Sequence, residues 1–349
     1  MTYRFLLVFC LCLLCATAQA AQTVHPGFKT LGVWEPTTAI RLDFAIWYPA
    51  RRSPFTLDYG DWVFSAARGA TPLSGRHPLV LLSHDSSGSR FSLHALASEL
   101  ARNGFVVAAP THAGDNLNDM SLIYTGAQLI SRTEQLRAAL DILLENDATA
   151  PLIDPQCIGI LGVGPGGTAA LMLAGGHLDP QGWTGYCAGG KTDPYCQAWV
   201  EPRMDALVKT PYLDASFLDR RIRAVAAVAP TYGMLLTRRA LSSIQVPVLL
   251  IRAEKEALCP DYLAESVRNA LPAASEYAVI PNADAITLTS PCGKGTLAQT
   301  LPEMCRPSPV RTQVQADLGE LATQFFLARL KDVSPPNTVT GPLSRPARD

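Results

Sequence analysis

Apolar residues fall along this chain in short unbroken runs, separated by longer stretches with a helical period. Pro78–Ser83 (PLVLLS), Phe105–Ala109 (FVVAA), Cys157–Leu161 (CIGIL), Ile222–Ala229 (IRAVAAVA) and Pro247–Ile251 (PVLLI) are almost wholly apolar. A half-wet strand alternates, whereas a strand covered on both faces is apolar throughout, as in a parallel sheet. Between these runs lie helical patterns. Ser92–Asn103 sets Leu93, Leu96, Leu100 and Ala101 on one face and is stopped by Gly104. Thr125–Asn146 carries Ile130, Leu136, Leu140 and Leu143 roughly in phase, and Asp261–Ala270 precedes a last strand at Glu276–Ile280. Glu303–Lys331 ends in a helix that is apolar at Leu318, Leu321, Phe325, Phe326 and Leu330. Strands alternating with helices predict an α/β fold, a mostly parallel central sheet with helices on both faces.

The flanks read differently. His25–Ala50 holds two apolar alternations and predicts an edge hairpin; residues 51–77 read as irregular. Residues 177–222, rich in Gly and Pro, read as an inserted lid. The proline-rich tail 333–349 has no apolar period and predicts no fixed structure. At the other end, Arg4, the apolar run Phe5–Leu14 and Ala18-Gln19-Ala20 have the layout of a secretory signal peptide. The run is short for a membrane anchor, and Cys15 follows Leu13-Leu14 rather than the small residues of a lipoprotein site. The expected organisation is a signal peptide at 1–20, one domain at 21–332 and the tail. The mature chain is then exported, periplasmic or secreted, with no transmembrane segment after cleavage.

Composition narrows the picture. The 349 residues carry a formal net charge of −1, so no basic excess exists for nucleic acid. Charged residues are 17% and apolar residues 48%, which suits one large buried core. Six cysteines remain after signal cleavage, an even number in an exported chain. Cys187 with Cys196 and Cys292 with Cys305 are the close pairs expected to bridge. Cys157 and Cys259 belong at opposite ends of the sheet and are expected to stay apart. Among the six remaining cysteines no Cys-x-x-Cys occurs, and no His-x-x-x-His occurs in the chain, so neither a metal site nor a cofactor is expected.

The chemistry centres on Cys157–Gly176, a strand, a glycine corner and a small-residue helix. This is the layout of the nucleophile elbow of α/β-hydrolases, G-x-S-x-G. Here the five positions are Gly162-Val163-Gly164-Pro165-Gly166, so Gly164 stands where the nucleophile belongs. The corner also fits G-x-G-x-x-G at Gly162, Gly164 and Gly167, but Pro165 removes a phosphate-facing N–H and no second strand with an acidic end follows. Gly185–Gly189 fits G-x-C-x-G around Cys187, without a strand before it or a helix after it.

Further segments extend the likeness. His77–His84, Gly104–His112 with Gly114-Asp115-Asn116, Asp154-Pro155 with Ile158-Gly159, Val246–Leu250, and Ile280-Pro281 to Pro291-Cys292 occur in order. Over roughly residues 28–331 the chain resembles the bacterial dienelactone hydrolase-like esterases that are similar to platelet-activating-factor acetylhydrolase. The resemblance implies an α/β-hydrolase fold and a Ser…acid…His order. It places the nucleophile at Gly164, the acid at Glu256 and the base at Ala285, and none of the six histidines follows the acid. It places one oxyanion donor on the N–H of residue 165, which is Pro165, and the other in the loop at Asp85.

These losses predict a pseudoenzyme, a non-catalytic binding protein derived from carboxylic-ester hydrolases. Its pocket would hold His84, Ser86 and Asp284, and its ligand would be small, ester-like or lipid-like. Asp85, Glu256 and Asp284 could together make that pocket acidic, suited to a cation or polar ligand. The alternative is an active esterase with a relocated nucleophile among Ser83, Ser86, Ser87 and Ser89. His112 and Asp115 are expected to brace their loop.

Overall fold

The computed structural model describes residues 23–35, 40–188 and 193–331. The predicted signal peptide and tail lie outside the described residues.

Among the described residues ten strands form one sheet: β1 His25–Trp34, β2 Arg41–Ala50, β3 Phe55–Tyr59, β4 Trp62–Arg68, β5 His77–Ser83, β6 Val106–Pro110, β7 Ile153–Val163, β8 Ile222–Val228, β9 Val248–Ala253 and β10 Glu276–Ile280. Their order across the sheet is β10-β9-β8-β7-β5-β6-β2-β1-β4-β3. From β10 to β6 every pairing is parallel, and β2 then joins β6 antiparallel. The continuous apolar runs are thus the parallel half, covered on both faces as their composition requires.

The sequence reading fails in one region. The hairpin of β1 and β2 is not an edge, because residues 51–77 supply a second hairpin outside it. Tyr59 pairs with Trp62 across a two-residue Gly60-Asp61 turn, with Gly60 at φ 76°. Leu57, Trp62, Phe64 and Ala66 alternate inward to the core. The alternation is present in the sequence but is only two or three residues deep on each side of the turn.

Two apolar cores flank the sheet. On one face pack α1 (His94–Arg102) and the C-terminal helix Pro309–Phe326, through Leu96, Leu100, Leu318 and Phe326. On the other pack α2 (Gly126–Glu145) and α3 (Pro165–Leu173). The buried face of α2 carries Leu129 rather than Ile130, and it includes Arg132. Cys187 and Cys196 lie at bonding distance, Cα–Cα 5.5 Å, as do Cys292 and Cys305, Cα–Cα 4.4 Å. Cys157 and Cys259 are both free. Among the described residues no helix is long and apolar enough to cross a membrane.

Candidate functional site

The parallel strands aim their C-terminal ends at one edge, and the corner between β7 and α3 stands at its middle. Gly164 sits there at φ 57°, ψ −125°, a conformation that costs a side chain about 1–2 kcal/mol. The flanking glycines are required by contact. A Cβ on Gly162 would lie 2.0 Å from the carbonyl of Gly166, and one on Gly166 would lie 2.4 Å from the carbonyl of Ser83. The backbone is therefore that of a nucleophile elbow, with helix and strand in close approach.

The side chain that reaches the position to which the resemblance assigns the nucleophile is Asp85, from the loop after β5. A Cβ built on Gly164 would fall 2.1 Å from Asp85 Oδ1. The same oxygen accepts the N–H of Ser86 at 2.7 Å. That N–H belongs to the loop to which the resemblance assigns the second oxyanion donor, so it serves a carboxylate of the protein itself. Pro165, at the first position of α3, offers no N–H. Asp85 Oδ2 has no hydrogen-bond partner among the described residues. The carboxyl is pushed up to about 6, first by burial and then by the negative charge of Glu256.

Glu256 follows β9 and is fully engaged. Its Oε2 accepts from the N–H of Ala285 at 2.7 Å and its Oε1 from that of Leu258 at 3.1 Å. Glu256 thus holds, through the backbone N–H of Ala285, the loop to which the resemblance assigns the base.

Above Asp85 opens a cavity of about 310 Å³. Ser86 and Ala285 line it with Asp85, and its walls are apolar, including Trp62, Leu117 and Leu301. His84 and Asp284, expected in the pocket, are not in its lining. His84 is buried under the loop, where its Nε2 accepts from the N–H of His112 at 3.1 Å. Its Nδ1, 2.7 Å from the carbonyl of Asp85, is then the protonated nitrogen. Asp284 caps the short helix Ala285–Leu288, accepting from the N–H of Thr287 at 2.7 Å. Segment 177–222, read as a lid, supplies no residue of this lining among the described residues. It packs to the side, with Tyr195 Oη accepting the N–H of Tyr232 at 2.8 Å.

No serine of the lining is hydrogen-bonded to a base. Ser86 Oγ accepts from Gln128 Nε2, Ser87 Oγ donates to Met120 Sδ, and Ser92 Oγ accepts from the N–H of Ser89. A serine–histidine contact exists elsewhere: Ser83 Oγ lies 2.9 Å from His112 Nε2, and His112 Nδ1 lies 3.3 Å from Gln135 Oε1. Both Ser83 and His112 are fully buried, and burial leads the causes that hold the imidazole well below its ordinary value.

The residue the sequence did not announce is Arg132. It is 1% exposed and binds Asp115 Oδ2 through Nε at 2.6 Å. Its other nitrogens donate to the carbonyls of His84 at 2.5 Å and Asp85 at 3.1 Å. Asp115 in turn accepts the N–H of Ser87. A buried pair in α2 and the loop after β6 therefore fixes the backbone that carries Asp85. The one sequence signal is an arginine in phase with the apolar stripe Leu129, Leu136 and Leu140.

Asp85 and the histidines act on stability in opposite directions. A carboxyl raised in the folded state contributes stability that is complete below its ordinary 3.8 and is lost as pH rises to about 6. Replacing Asp85 by Asn should therefore stabilise the protein at pH 8 by on the order of 2–3 kcal/mol and leave it unchanged near pH 3.5. Urea unfolding of both proteins across that range measures the difference. Buried His84, held down to about 3, and His94, to about 4, destabilise both proteins equally as pH falls below 6.5.

The Cys292–Cys305 bridge closes a loop that carries Leu297, Leu301 and Met304 of the cavity wall. Changing both cysteines to Ser should cost about 3 kcal/mol, given the size of the closed loop. It should also loosen this wall selectively, which hydrogen exchange of residues 293–304 would report.

Comparison with known proteins places the architecture. No protein-family model matches the chain, and no curated protein matches it in sequence. Solved structures do. A ferulic acid esterase from Streptomyces cinnamoneus superposes with a TM-score of 0.57 at 20% identity, over 94% of this chain and 96% of that one. A dienelactone hydrolase from Anabaena variabilis superposes with a TM-score of 0.50 at 16% identity, over 88% of this chain and 99% of that one. The chain has the α/β-hydrolase fold.

Proposed function

We propose that this protein is an exported pseudoenzyme of the α/β-hydrolase fold, a binding protein that uses the cavity above the former elbow. The observation that carries this reading is the position of Asp85 Oδ1, 2.1 Å from where residue 164 would place a Cβ. Acyl transfer needs a nucleophile, a base beside it and donors aimed at the developing oxyanion. Here the first position is a glycine overlaid by a carboxylate. The second is Ala285, and of the donors one is a proline and the other is satisfied internally. A buried anion at the reaction centre opposes a second one forming there. The two disulfide-distance pairs are compatible with export.

The chain should neither hydrolyse short-chain p-nitrophenyl esters above background nor label with a fluorophosphonate. Labelling of any serine would overturn the reading, and the modified residue would identify the working site.

The second reading, a hydrolase with a relocated nucleophile, draws on the Ser83–His112–Gln135 chain of contacts. Ser83 lies behind Gly166, is not in the cavity lining and is 3.4 Å from the guanidinium of Arg132. That surrounding favours a structural use of the pair, bracing the loop after β6.

A further inference from the structure

We propose that the cavity above the elbow binds a protonated amine carried on an apolar body, its ammonium donating to the unpartnered oxygen of Asp85. This deepens the binding-protein reading and rests on it.

Among the described residues the lining contains one charged side chain, Asp85, and no lysine, arginine or histidine. The rest is mainly apolar, with Trp62, Leu93, Leu117, Val163, Ile286 and Leu301 around the void. Such a shape asks for an apolar ligand with one polar end placed at the floor. At that end stands Asp85, whose Oδ2 has no hydrogen-bond partner among the described residues. A carboxylate oxygen accepts and does not donate, so its partner must carry an N–H or O–H. A fatty-acid anion would meet Asp85 with Glu256 behind it, and two like charges would oppose it. A protonated amine meets the same pair as a charge-assisted hydrogen bond in a poorly hydrated place, the stronger kind.

The groups facing Asp85 support this sign. Glu256 lies on the β9 side, and Asp115 on the loop after β6. Arg132 approaches from α2, but its donors are spent on Asp115 and on the carbonyls of His84 and Asp85. His84, next in sequence, is neutral down to about 3. Tyr124 is the remaining titratable neighbour and is pushed up, so it stays uncharged. The floor therefore has a negative excess that an incoming cation would neutralise. The polar cavity beyond Trp62 and Leu117 lacks this bias, since its Arg41 and Arg90 pair with Asp43.

The test is calorimetric titration of the mature chain with hexylamine, hexanol, hexanamide and hexanoate at pH 8 and pH 5. Hexylamine keeps its charge over this range, while Asp85 changes its own near 6. Hexylamine should bind at pH 8 at least tenfold more tightly than the other three, and about tenfold more weakly at pH 5. Asp85→Asn should remove both the preference and the pH dependence; its Oδ1 can still accept from Ser86, and the wild-type pH profile is a readout independent of that variant. Equal binding of hexanol and hexylamine, unchanged by pH, would overturn the amine inference and leave a binding protein for apolar ligands. Binding of hexanamide that strengthens at pH 5 would also overturn it, showing that protonated Asp85 donates to a carbonyl. If none of the four binds, the amine inference and the use of this cavity for binding both fall. Turnover of an ester would instead remove the pseudoenzyme reading.

Discussion

Placing a serine at residue 164 should not create esterase activity; it should damage the fold. In Gly164→Ser the new Cβ would arrive 2.1 Å from Asp85 Oδ1, about half a normal contact. Asp85 cannot swing aside freely, because Ser86 holds its Oδ1 and Arg132 holds its carbonyl. Overpacking of this kind costs about 1–3 kcal/mol, and the positive φ adds about 1–2 kcal/mol. The expected result is a marked fall in urea midpoint, with no fluorophosphonate label. Gly164→Ser combined with Asp85→Gly should recover the steric part and leave the backbone part, so the two changes should be strongly non-additive. Only with Ala285→His added as well would a serine have a base within reach. Labelling of the single Gly164→Ser variant would show that the Asp85 side chain moves more easily than these contacts allow.

The larger loss of stability should come from Arg132. Replacing it by Met removes the partner of Asp115, whose side chain is 1% exposed, and the donors to two loop carbonyls. Stranding a buried charge in this way costs about 3–5 kcal/mol. Lysine should rescue little, since one ammonium cannot replace a fork that reaches Asp115, His84 and Asp85 at once. The loop that carries Asp85 should lose order with it, which hydrogen exchange at residues 84–89 would register beside the fall in urea midpoint. A cost near zero for Arg132→Met would mean that Asp115 is sufficiently bound by Gln128 and Ser87 alone.

Much of this was legible in the chain. The parallel strands announced themselves because burial on both faces leaves no polar position to confuse the pattern. The elbow was legible because its glycines are imposed by backbone contacts at Gly162 and Gly166. The positions to which the resemblance assigns nucleophile, oxyanion donor and base can be named from the sequence: Gly164, Pro165 and Ala285. Other features depend on geometry that no local pattern encodes. The resemblance puts Asp85 in the oxyanion loop, but its lying over Gly164, from a different strand, is visible only in the fold. Arg132 reads as a surface arginine of a long helix, since a single polar residue in an apolar stripe is weak evidence. His84 and Asp284 read as pocket residues from adjacency in sequence, but His84 ties its loop to the one after β6 through the N–H of His112, and Asp284 caps the helix that follows it. The β3–β4 hairpin went unseen because five and seven residues around a tight turn are too few to establish a period.

The turn of that hairpin also decides when the cavity can exist. Its tip, Asp61, caps the short helix Thr296–Thr300 by accepting the N–H of Leu297, and its carbonyl receives the N–H of Gly293. The partners are 236 residues apart for the first of these bonds. A chain emerging from its N-terminus therefore completes the elbow, the Arg132 clamp and most of the sheet before the wall holding Leu297 and Leu301 has been made. Contacts over so long a separation form slowly, so this wall of the cavity is expected to form late. A nascent or C-terminally clipped molecule would show an open, apolar trough ending in a carboxylate, a surface suited to capture by quality-control factors that recognise unfinished proteins.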